Sequence, residues 1–374
     1  MSAAGSDWPA WAVGVIVTGV LRNVAPVWFT CVMGTAAVAV AAALLPGQGR
    51  VLEAAAVGLW AVALLLLAVL GLASALAWRR GHRSLRADAL DGAVAPFLAA
   101  PPIAALTVAS STALSGTQVL GAHVALVLAG VLWALGTAGG LAVAVIVPAA
   151  KFTRHDLRSD TWMPTWVLPT VPPLVAAGGA AIFAPHLPAG QWQLTLIAGA
   201  WAMLGATLVA TFVGIAMLWT RLAFHRLDET AAVPTLWLVL GPLGQAVTAA
   251  ALLGHAGEDV LPAPYGTGLR VGALALGLPL WGFALLWLAI AAVITADAAR
   301  RHLPFSLGWW AFVYPLGTLT MATSLVADAT GGVVFTVLAG VLFAALLAAF
   351  AAAAAGTLRN AARGRAVAAG ILAP

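Results

Sequence analysis

The side chains able to do chemistry in this chain are hydroxyls, placed where water should be scarce. The stretch Phe305 to Ser324, FSLGWWAFVYPLGTLTMATS, gathers Tyr314, Thr318, Thr320, Thr323 and Ser324 around Pro315, with Gly308 and Gly317 beside them. A helix of about 20 residues, at about 1.5 Å each, spans about 30 Å and crosses a bilayer. Proline inside it removes a backbone hydrogen bond, and in lipid the freed carbonyl needs another partner. Broken, hydroxyl-rich spans are tolerated where a helix is buried in protein or lines a water-filled cavity. The stretch therefore reads as the wall of a path, offering neutral hydrogen bonds to whatever passes.

Charged chemistry is missing from the same places. All 12 acidic residues, from Asp7 to Asp328, fall in predicted loops or at span edges, and no Lys, Arg or His lies deep in a span. A charge at the bilayer centre costs about 2.5–3.5 kcal/mol, so its presence marks function. Neither a buried proton relay nor the acidic ring of a cation channel is visible. Thr, Ser and Gly, with broken helices presenting backbone N–H groups and N-terminal dipoles, suit an anion or a neutral solute. The candidate lining residues are Thr35, Thr107, Thr170, Thr248 and Thr318, with Pro102, Pro173, Pro242 and Pro315 at the helix breaks. Each hydroxyl has a rival partner in its own i−4 carbonyl. Gln245, within LGPLGQ, is the most polar side chain deep in any span, either a donor to the path or an interhelical clamp. The cluster Lys151 to Asp160, KFTRHDLRSD, sets His155 near Asp156 and Asp160, but among so many basic residues it reads as a solvated loop rather than a metal site. With no nucleophile elbow, phosphate loop or zinc spacing, no enzyme, metal or cofactor is expected.

The elements that must position these groups are membrane spans. Hydrophobic residues make up 63% of the chain and charged ones 8%, against about 25% charged in soluble domains. Ten spans fit, near 26–45, 52–78, 96–115, 119–147, 164–184, 192–219, 234–254, 269–295, 305–326 and 333–357. Residues 1–25 form an interfacial segment before this 26–357 domain, and 358–374 a basic tail after it. Of the 17 Lys and Arg residues, all but Arg50 and Arg270 fall on one side of that arrangement. Positive charge marks the cytoplasmic side, so both termini are expected there, in the plasma (inner) membrane of a bacterial-type cell. The net charge of +5 is thus a matter of orientation and not of nucleic-acid binding. The single cysteine, Cys31, sits in an apolar run and reads as a small core residue. Tryptophans at span ends, such as Trp60, Trp78, Trp192 and Trp219, read as interfacial belts.

A repeat overlies the spans. Odd spans carry proline: Pro26 opens the first, and Pro101-Pro102, Pro169, Pro172 and Pro173, Pro242 and Pro315 interrupt the others. Even spans such as Val51–Trp78 and Trp192–Trp219 are long, unbroken and proline-free. Five hairpins follow, each pairing a broken helix with a straight one. The fold expected is an all-α membrane bundle with pseudo-fivefold symmetry, its broken helices inside around a pore and its straight helices against lipid.

The residues VWFTCVMGT (Val27–Thr35), APFLAAPPIAALTV (Ala95–Val108), WVLPTVPPLVAAGGA (Trp166–Ala180), PTLWLVLGPLGQAVTAA (Pro234–Ala250) and WWAFVYPLGT (Trp309–Thr318) resemble, in order, the tellurite-resistance/dicarboxylate transporter family. That family takes in a bacterial tellurite-resistance anion channel, yeast malate and sulfite transporters, and slow anion channels of plant guard cells. The resemblance runs from about Arg22 to Arg359 and implies five hairpins, inner odd helices forming the pore, and a homotrimer. It also implies a gate. Family channels are plugged by a phenylalanine on the ninth helix, at a position that falls on Tyr314 here. Tyrosine is a departure, since its hydroxyl can bond an anion or the backbone; plug and structural belt residue both stay open. Phe312, two positions earlier, points about 200° away and is the weaker gate. The expected function is passage of small anions down their gradient, of the C4-dicarboxylate, sulfite, tellurite or halide and nitrate classes. The alternative is a coupled carrier of malate or sulfite, moving as a protonated mono-anion.

Overall fold

The computed structural model describes residues 25–47, 49–81, 83–154, 162–225 and 230–362. Residues 1–24, 363–374 and the loop residues His155, Asp156 and Asp160 lie outside them. Every regular element among the described residues is helical. A bilayer offers the backbone no water, so long apolar runs satisfy their own N–H and C=O groups as helices. Nine helices are long and apolar enough to cross, and a pair bent by 44° makes a tenth. In chain order they are α1 (Pro26–Leu44), α2 (Arg50–Arg79), α3 (Ala95–Leu120), α4 (Ala122–Arg154), α5 (Pro164–Thr170 with Pro172–His186), α6 (Gln191–Phe224), α7 (Thr230–Val260), α8 (Tyr265–Arg300), α9 (Leu307–Thr330) and α10 (Val333–Ala362). The last helix thus runs past 357 into the stretch expected as tail.

Odd and even helices part company in burial. In α1, α3, α7 and α9, from 67% to 89% of the most apolar stretch is buried, against 17% to 39% in α2, α4, α6, α8 and α10. The broken α5 is buried almost throughout. The five odd helices pack in a closed order: α1 on α3, α3 on α5, α5 on α7, α7 on α9, and α9 back on α1. Each even helix seats on two of them, α2 on α1 and α3, α4 on α3 and α5, and so on round to α10 on α9 and α1.

All five inner helices start as a 3₁₀ stretch before turning α-helical, whereas the outer ones are α-helical from their first turn. Proline explains the entry. It has no N–H to give, and it is tolerated where the first turns have orphan donors anyway. Most inner prolines therefore sit at the helix start rather than at mid-span: Pro26, Pro96, Pro164 and Pro172 each occupy one of the first two positions of their segment. Pro315, five residues into Trp310–Thr330, is the interior exception in this ring's α-helical segments beyond the first turn. The outer helices are not uniformly free of proline, because Pro148 lies inside α4 and Pro279 inside α8.

Small residues let the inner backbones meet. A side-chain carbon on Gly244 of α7 would lie 2.7 Å from the Leu319 nitrogen of α9, and one on Gly317 of α9 would lie 2.9 Å from Ala37 of α1. Indoles then tie the two layers together. Trp60 of α2 donates to Thr112 Oγ1 of α3 at 2.9 Å, Trp281 of α8 to Thr323 Oγ1 of α9 at 3.0 Å, and Trp287 of α8 to the Leu236 carbonyl of α7 at 2.9 Å. Trp60 is accordingly a buried clamp, not a belt residue, while Trp78, Trp192 and Trp219 are exposed near helix ends. Lys151 also departs from the solvated-loop reading. It is buried on the last turn of α4, its ammonium 3.4 Å from the Trp162 ring centre and 4.0 Å from that of Trp166.

Candidate functional site

Two cavities lie within the ring of inner helices, and among the described residues Tyr314 is the one lining both. Its position follows from the local sequence. Ser306 accepts a hydrogen bond from the Gly308 N–H at 3.2 Å, capping the 3₁₀ turn that opens α9. Six residues later Tyr314 stands one position before Pro315. Its ring passes Gly241 of α7, where an added side-chain carbon would lie 3.9 Å away in ordinary contact.

The first cavity lies toward the arginine-rich end, where the inner helices begin. Val27, Phe97, Leu168, Leu238, Trp310 and Pro315 make its wall mostly apolar, and it leaves about 40 Å³ for the centres of water-sized molecules. Its two threonines spend their protons on backbone: Thr30 donates to the Val27 carbonyl at 2.7 Å and Thr235 to that of Ala232 at 2.6 Å. The second cavity, on the far side of Tyr314, leaves about 60 Å³ and is lined by Thr107, Ser110, Gln245 and Thr248 among apolar residues. Among the described residues, no Asp, Glu, Lys or Arg lines either cavity.

The second cavity has uncommitted polar groups. Tyr314 Oη and Thr248 Oγ1 are buried without a hydrogen-bond partner. Thr107 approaches the phenol without completing a hydrogen bond, and its own proton goes to the Ile103 carbonyl at 2.8 Å. Ser110 donates to Leu106 at 3.2 Å. Gln245 has room because residue 178 is glycine, where an added side-chain carbon would stand 3.0 Å from the amide nitrogen.

The candidates therefore separate. Thr107, Gln245, Thr248 and Tyr314 gather at the second cavity, and Pro242 and Pro315 at the first. Thr35 is buried in α1, bonded to the Cys31 carbonyl at 2.8 Å. Thr170 donates to Val167 at 2.9 Å, and Thr318 to Pro315 at 2.8 Å, with the Leu240 carbonyl of α7 at 3.4 Å. Pro102 faces outward onto Gly136 and Gly139 of α4, and Pro173 is buried in the first turn of its segment. Phe312 packs edge-on against Trp237 and Trp309, with centroids at 5.1 and 5.9 Å, and lines neither cavity. Ser110 and Met321 were not singled out from sequence. Ser110 had a signal, since it lies three residues after Thr107 and so shares its helix face. The described residues contain no cluster of three or more His, Cys, Asp or Glu able to hold a metal.

A closed layer of buried, proline-entered helices around uncharged cavities, jacketed by exposed apolar helices, defines a membrane protein of the transport class. The chain belongs to the voltage-dependent anion channel family, SLAC1, whose model matches residues 23–358. It is 33% identical over 213 residues to the sulfite efflux pump SSU1 of Arthroderma otae, covering 55% of this chain and 56% of the pump. The pump of the same name from Trichophyton rubrum is 32% identical over the same shares. The chain thus spans little more than half the length of these curated relatives. An uncharacterised transporter of Methanocaldococcus jannaschii is 27% identical over 314 residues, 82% of this chain and 84% of that one.

Proposed function

We propose that this chain passes small anions, sulfite among them, from one cavity to the other, and that Tyr314 is the gate between them. The observation that carries the reading is that Tyr314 alone lines both cavities. A path with no fixed charge neither traps an anion nor repels a cation strongly, so bore, hydrogen bonds and membrane voltage do the sorting. One charge moving through about 100 mV exchanges about 2.3 kcal/mol, enough to drive a uniport. In this reading the five hairpins surround one axis, the arginine-rich end faces the cytoplasm, and the chain assembles as a trimer.

The test is anion current in planar bilayers for the wild type and Tyr314→Ala, across chloride, nitrate, sulfite and malate. Removing the ring should raise current at least about tenfold, a barrier change of about 1.4 kcal/mol. Equal, negligible currents in both would sink the gate. Coupled transport is the second reading, favoured by the relatives named as sulfite efflux pumps. It would appear as exchange of labelled sulfite across liposomes without conductance in either form.

A further inference from the structure

The two cavities flanking Tyr314 differ in what their walls leave free. In the first, the threonine protons go to backbone carbonyls. In the second, two hydroxyls remain uncommitted: Thr248 Oγ1, in a residue 4% exposed, has no partner, and Tyr314 Oη, in a residue 6% exposed, completes no hydrogen bond although Thr107 lies beside it. A buried polar group without a hydrogen bond is costly and rare, and each instance calls for an explanation. We infer that the second cavity is a binding site for a singly protonated oxyanion, and that Thr248 and the Tyr314 hydroxyl set its specificity. The inference rests on the anion-path reading and names the form of anion that the path selects.

The wall offers both halves of a hydrogen-bonding pattern. Tyr314 and Thr248 supply O–H donors, and the Gln245 amide adds two N–H donors and an acceptor. Thr107 and Ser110 have given their protons to Ile103 and Leu106, so what they present is lone pairs. A halide can use the donors alone and leaves those lone pairs facing its charge. A fully deprotonated dianion does the same with twice the charge, and no cation among the described residues lines the cavity to offset it. An oxyanion that keeps one proton matches both sides: its oxygens accept from Tyr314 and Thr248, and its O–H donates to Thr107 or Ser110. The space also suits a small ligand: the cavity leaves about 60 Å³ for the centres of water-sized molecules.

The experiment is equilibrium dialysis of radiolabelled sulfite against the full-length protein in detergent, over a pH series, with chloride as competitor. Wild type, Thr248→Val and Tyr314→Phe are compared, and flux of both anions into liposomes is read in parallel. Binding should follow the singly protonated fraction of sulfite. Each substitution should weaken it about tenfold, the loss of one hydrogen bond to a charged group, while chloride competes poorly throughout. Among the described residues, Tyr314 is the one titratable side chain lining this cavity. If the ligand and not the phenol titrates, the pH trend persists in Tyr314→Phe. Binding that grows with the dianion, or is unchanged in both variants, overturns the inference. The two readings separate in the flux arm. Selective binding without flux leaves the site standing and removes the path. Flux whose hydrogensulfite-to-chloride ratio ignores both substitutions leaves the path standing and removes the site.

Discussion

The inner helices of this chain are far more buried than the outer ones and yet on average less hydropathic; α9, the least hydropathic of the unbent spans, shares the highest buried fraction with α7. In a soluble domain the order would be reversed. The outer helices carry the large apolar side chains, such as Leu65, Val145, Val293 and Val334, and present them to the surroundings. The inner helices are rich in Ala, Gly and Thr. Lipid tails are as apolar as leucine, so an apolar surface gains little by leaving lipid for protein. What draws helices inward is close packing of small residues and hydrogen bonds between helices. That leaves the interior as the place where polar groups and voids are affordable, and hence where a path can run.

The sharpest way to break this contrast is to add bulk at one glycine in each layer. Gly244→Leu drives a side chain into the Leu319 and Thr318 backbone, at 2.7 Å from both, where nothing flexible can yield. Overpacking typically costs about 1–3 kcal/mol, and backbone contact puts this case at the upper end or beyond. At Gly282 on α8 an added side-chain carbon meets no atom within 4 Å, so Gly282→Leu should not destabilise the protein. Thermal unfolding of the two detergent-solubilised variants, followed by size-exclusion chromatography, reads the difference. Equal losses would mean that the inner ring is not the tightly packed layer.

A smaller effect is expected where the layers are tied. Trp287, 1% exposed, donates its indole N–H to the Leu236 carbonyl in the 3₁₀ stretch of α7. Trp287→Phe removes that buried hydrogen bond and part of the packed ring and should cost about 1–3 kcal/mol. Trp192→Phe, at a residue 69% exposed on α6, should cost nothing measurable. If the two melt alike, the indole clamps contribute little, and glycine packing alone holds the layers together.

The ten spans and their inner and outer alternation were legible in sequence for a physical reason. A bilayer permits few backbone arrangements, so long apolar runs and the placement of proline and arginine report the bundle directly. The site was legible only in part. Tyr314 stood out through the family resemblance, which puts the gate at the position before Pro315. Thr107, Thr248 and Thr318 looked alike, because each is a threonine in an inner span. Each residue turns a helix by about 100°, and its packed orientation decides whether a hydroxyl meets the cavity or its own backbone. Thr248 was left free and Thr318 was not. The same ambiguity holds for the stretch Phe305 to Ser324. The Thr and Ser hydroxyls of this stretch bond their own helix, and Tyr314, Pro315 and Met321 are its residues past the first turn of α-helix that reach a cavity.

The smallest predicted effect tests that last distinction. Thr320 is fully buried, its hydroxyl bonded to the Leu316 carbonyl at 2.8 Å, and it lines neither cavity. Valine has nearly the same shape. The Leu316 carbonyl lies four residues before the Thr320 amide, so the helix still supplies an N–H when the hydroxyl goes. Such back-bonding adds little to a helix and often bends it slightly. Thr320→Val should therefore shift stability by less than about 1 kcal/mol, and it should leave sulfite and chloride flux as in the wild type. Thr248→Val makes the same chemical change at a hydroxyl with no partner, and it should alter the flux ratio. A change in ion preference from Thr320→Val would mean that α9 turns its hydroxyls toward the path during transport, and the division between spent and free hydroxyls would have to be redrawn for a moving helix.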